Sequence, residues 1–153
     1  MSAEKRPEQK EERALSAETV RLEALLAALA VQVLRKPIEP GTPLTEAFNI
    51  NRALRFIDAV WQATGIELDV NSFYLWPTLP ALAEAMTDGS YRTVPKLIEI
   101  RPGNRKESIV VFAGGVGCFL EMRDVIHALS FEGTVYGMAL TLFDRPAARP
   151  AEV

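Results

Sequence analysis

Apolar positions recur along this chain in two different rhythms. In the first part the period is helical. From Ser16, Leu22, Leu25, Leu26, Leu29 and Val33 fall along one face, so a helix over 16–35 with Ser16 as its cap is expected. The stretch "KPIEPGTP" halts it with three prolines and a glycine. A second helix is expected over 51–64, with Leu54, Ile57 and Trp61 at helical spacing and a stop at Gly65. "IELDVNSFYLWPT" reads as a short extended segment and a brief helical turn. Thr78 then caps a last helix over 79–86, with Pro80 tolerated in its first turn. Residues 16–87 are thus expected to form a bundle of three main helices and one short one, and 88–96 a linker.

Beyond the linker the rhythm shortens. "KLIEI" and "IVVFAG" read as strands around a turn, "RPGNRKES". "GGVG" leads into a helix over 119–129, and "TVYGMAL" is a further buried strand. Residues 97–145 therefore predict a βαβ unit with a parallel pair and one extra strand. Parallel sheets need both faces covered, and one helix must serve here. This half is expected to be loosely folded alone or to self-associate through open strand edges. The charged, aperiodic residues 1–15 are expected as a disordered arm and 146–153 as a proline-rich tail.

Charge and cysteine usage narrow the function classes. A net charge of -3 without a basic patch argues against binding a phosphate backbone, so no nucleic-acid partner is expected. With one cysteine and one histidine in the chain, neither an internal disulfide nor a tetrahedral His/Cys metal site can be built, and no metal is expected. The N-terminus has no apolar signal region, and "LEALLAALAVQVL" is too short to span a bilayer. A soluble, cytoplasmic protein that does not engage membranes is expected.

The polar turn in "EAFNINRALRF" is the first place to look for chemistry. Asn49 and Asn51 are small polar residues of the kind that cap a helix, yet the stretch has no Ser, Cys, Lys or His. Residues 16–87 resemble the phosphopantetheine carrier domains of polyketide and nonribosomal peptide synthetases. The best-matching segment is "GIELDVNSFYLWPTLPALAEAM", similar to that family's G-x-E-L stretch, its aromatic residues and its P-T-x-x-x-L-A run. The resemblance implies a serine at the start of the second helix, carrying the prosthetic arm. Counted back from Gly65, that position falls on Ile50, between Asn49 and Asn51, and a slip of one residue would place it on Asn51. None of the three has the hydroxyl that must attack the coenzyme's phosphoanhydride, so no phosphopantetheine is expected on this turn. The nearest upstream hydroxyl, Thr45, is out of register. The turn is then either a cap and no more, or the remnant of a docking face. Phe73 and Trp76 in "NSFYLWPT" are the candidate anchors of such a face, with core packing the alternative for each.

The second half is similar to the start of the thioesterase domain that follows a carrier in such synthetases, an α/β-hydrolase. The resemblance rests on "LIEIRPGNRKESIVVFAGGVGCFLEMRDVIHAL" and "TVYGMAL". It implies that the loop Gly114, Gly115 and Val116 stands where the family supplies one oxyanion-hole N–H. The chain has no G-x-S-x-G elbow, and the triad's acid and histidine would lie past Val153, so no catalytic residue is assigned. Cys118 and His127 lie nine residues apart, about 13 Å along a helix, too far for a thiol–imidazole pair. As a dinucleotide loop "GGVG" fails too, because Leu120 stands where the third glycine of G-x-G-x-x-G belongs.

The expected fold class is a small carrier-like helical bundle followed by a partial, truncated α/β-hydrolase-like unit. The expected function is a non-catalytic interaction or scaffold protein, or a remnant, of a polyketide or nonribosomal-peptide system. The alternatives are one half of a split thioesterase completed by a partner chain, and an acyl carrier modified at an unrecognised residue. Expected partners are synthetase enzymes, a complementary hydrolase half, or a second copy joined at sheet edges.

Overall fold

The computed structural model describes residues 7–113 and 117–138. The chain divides into two compact units, with the division after Pro95.

The first unit begins with α1, Pro7–Leu34. Its first turn lies nine residues before Ser16, which is an exposed interior residue of the helix and not its cap. The arm expected over 1–15 is thereby corrected from Pro7 onward; residues 1–6 lie outside the described residues. Residues 8–15 are Glu, Gln, Lys, Arg, Ala and Leu, the better helix formers, and Pro7 stands at a first helical position, where its missing N–H costs nothing. A one-turn helix α2, Leu44–Ala47, precedes α3, Ile50–Thr64. Gly65 closes α3 in the left-handed region at φ 71°, its N–H donating to Trp61 O at 2.7 Å, a conformation a Cβ would oppose. Helix α4, Ser72–Leu75, is the brief aromatic turn. Helix α5 runs Leu79–Asp88, with the Thr78 hydroxyl accepting from Ala81 N at 3.4 Å and Gly89 as its left-handed C-cap.

Helix α1 packs on α3 and α5, and the Thr19 and Thr87 hydroxyls bond across α1 and α5 at 3.0 Å. Leu26, Ala30, Ala53, Val60 and Leu82 are fully buried between these helices. A second core centre is aromatic: the Phe48 ring lies 5.0 Å from Phe56 and 5.5 Å from Phe73. It ties the approach to α3 onto α4.

The second unit holds a three-stranded sheet in the order β1-β3-β2, with β1 Leu97–Arg101, β2 Arg105–Phe112 and β3 Gly133–Met138. Strand β1 is antiparallel to β3 and β2 is parallel to it, as the expected crossover requires. Strand β2 starts four residues earlier than "IVVFAG", so the turn shrinks from 101–108 to 102–104. Its charged first half is tolerated because it is solvated at the sheet edge. The single helix expected over 119–129 is instead a 3₁₀ turn, Phe119–Met122, followed by α6, Arg123–Ala128. No side chain caps α6 at its start, and the Arg101 guanidinium gathers its end by donating to Ile126 O at 2.8 Å, Leu129 O at 3.2 Å and Phe131 O. Residues 139 and 140 of "TVYGMAL" lie outside the described residues, as does the expected tail.

Strand alternation gives the sheet two unequal faces. On one, Ile98, Val135 and Gly137 are buried, and a Cβ on Gly137 would overlap Ile100 and Phe119. On the other, Leu97 and Phe112 flank Met138, and Glu99 and Val110 flank Tyr136. Leu97, Val110 and Phe112 are 44%, 43% and 54% exposed, so this second face is apolar and open.

Candidate functional site

The turn entering α3 is built from both sides. Ahead of it, Leu44 N donates to Pro77 O at 2.7 Å, and Leu44 and Phe48 are buried. Phe48 thus fixes where the chain turns. Asn49 follows with extended backbone, and its Oδ1 accepts from Arg52 N at 3.0 Å while its carbonyl accepts from Ala53 N at 2.8 Å. That is a complete side-chain N-cap. Ile50 is the first residue of the helix and half-buried. Asn51 is exposed within the helix, so of the two asparagines expected as caps only Asn49 serves. Thr45 is half-buried in α2, on the preceding helical turn. None of Asn49, Ile50 and Asn51 can act as a nucleophile. The geometry is a helix start presenting an aliphatic side chain.

Of the two candidate anchors, Phe73 is fully buried in the aromatic cluster, its ring 5.9 Å from Phe56. It has no surface to offer a partner, and its docking role is corrected: three phenylalanines solve the packing of the α2–α3–α4 corner together. Trp76 is half-buried. Two residues not proposed as anchors are the more exposed ones. Leu54 and Trp61 on α3 are 43% and 49% exposed. The signal was their spacing of seven, which sets them on a stripe beside the buried Ala53, Phe56 and Val60.

Elsewhere the first unit has a shallow cleft of about 580 Å³ lined by Glu67, Asp69, Tyr91 and Arg92, with Arg92 over the Tyr91 ring at 5.3 Å. The Asp69 carboxylate accepts from Asn71 N at 2.7 Å, so it shapes the loop. Asp88, at the end of α5, has its carboxyl held below the ordinary 3.8 by the Ser90 backbone N–H first and the Ser90 hydroxyl second, a turn cap and not an acid–base group.

In the second unit Gly114, Gly115 and Val116 lie outside the described residues. Cys118 beside them is fully buried, while His127 is exposed in the last turn of α6, so the two are not brought together. Among the described residues no group of three His, Cys, Asp or Glu could hold a metal ion, and no helix is long and apolar enough to cross a membrane.

No family model and no curated protein matches this chain. Solved structures similar to it include the following two. One is a free-standing peptidyl carrier protein from an uncharacterized secondary metabolic pathway of Acinetobacter baumannii, at 22% identity and a TM-score of 0.44, covering 48% of this chain and 96% of that one. The other is a four-domain nonribosomal peptide synthetase in its holo form, bound to AMP and glycine, at 20% identity and a TM-score of 0.41, covering 77% of this chain and 9% of that one.

Proposed function

We propose that the first unit is a carrier-like module that bears no prosthetic arm and works through protein contacts beside an acyl- or peptidyl-assembly system. The observation that carries this reading is the start of α3, where Asn49 supplies the cap and Ile50 stands at the first helical position. A phosphopantetheinyl transfer needs an oxygen nucleophile there, and an aliphatic side chain has none. Contact with synthetase enzymes would use the exposed side of α3, where Leu54 and Trp61 offer an aliphatic and an aromatic anchor. The segment after Pro95 is read as the opening piece of a thioesterase-type α/β unit, without a nucleophile of its own. A remnant with no selected partner is the limiting case of the same reading.

Intact-mass measurement tests it. The chain is incubated with coenzyme A and a broad-specificity phosphopantetheinyl transferase, and no mass increase is expected. A gain of one phosphopantetheine would make it an acyl carrier modified at another residue, Thr45 being the nearest hydroxyl upstream.

A second reading has its own observation. The apolar sheet face at Leu97, Val110 and Phe112 is open, and β1 and β2 each pair on one side only among the described residues. That favours a partner chain completing the sheet as the other half of a split hydrolase. Such a partner would supply the elbow serine, the acid and the histidine, and hydrolysis of a thioester on mixing, absent from either chain alone, is the result this reading requires.

A further inference from the structure

We draw no further inference here: the strongest candidate, the open apolar face of the second unit's sheet at Leu97, Val110 and Phe112, carries nothing more, because nothing among the described residues shows what covers it.

Discussion

At the start of α3, two jobs that a single segment of chain can combine are separated. Capping belongs to Asn49, whose side chain reaches the Arg52 amide at 3.0 Å, and it needs no help from the residue that follows. Chemistry would belong to Ile50, which has no group to perform it. The cap is worth about 1 kcal/mol whether or not a nucleophile stands beside it, so stability alone suffices to hold the turn in shape. A similar division separates Phe73 from Trp76. Because the Phe73 ring is fully buried against Phe48 and Phe56, Phe73→Ala is expected to cost about 3–5 kcal/mol in denaturant unfolding. Trp76→Ala, at a half-buried site, should cost clearly less. A neutral Phe73→Ala would mean the ring is not part of the core and would return it to the list of anchors.

Among the elements, those marked by both a cap and a period were legible in the sequence. Helix α3 with Gly65 behind it and α5 with Thr78 ahead of it fall within two residues of their expected ends. Helix α1 was misread because its start carries no apolar rhythm; propensity, not periodicity, decides there. Helix α6 was misread for the opposite reason. Its apolar residues suggested one helix, but without an N-cap the first turn tightens to 3₁₀. The parallel pairing of β2 with β3 was legible from the strand–helix–strand order, whereas the place of β1 beside β3 was not, since pairing across the sheet leaves no mark in a single strand. Burial of Phe73 was equally hidden, because an aromatic run looks alike inside and outside. Gly137 shows what the central strand depends on. Gly137→Ala would press a methyl into Ile100 and Phe119, and the second unit is expected to lose about 1–3 kcal/mol by overpacking. Unchanged amide protection in β3 of this variant would show that Phe119 does not lie over the strand.

In the whole molecule two units of unlike completeness are joined in one chain. The first has a closed core and a helix start with no reactive group. The second has a sheet with one covered face and one open face. Under the proposed carrier-like reading the attachment position falls on Ile50, the first residue of α3, which has no hydroxyl. Ile50→Ser tests this most directly, because it adds one oxygen at the first residue of α3 and leaves the Asn49 cap in place. Native chain and variant are incubated side by side with coenzyme A and the same transferase, and their intact masses compared. No change is expected for the native chain, and a gain of one phosphopantetheine for Ile50→Ser. A folded variant that stays unmodified, or a native chain that is loaded, would contradict that reading.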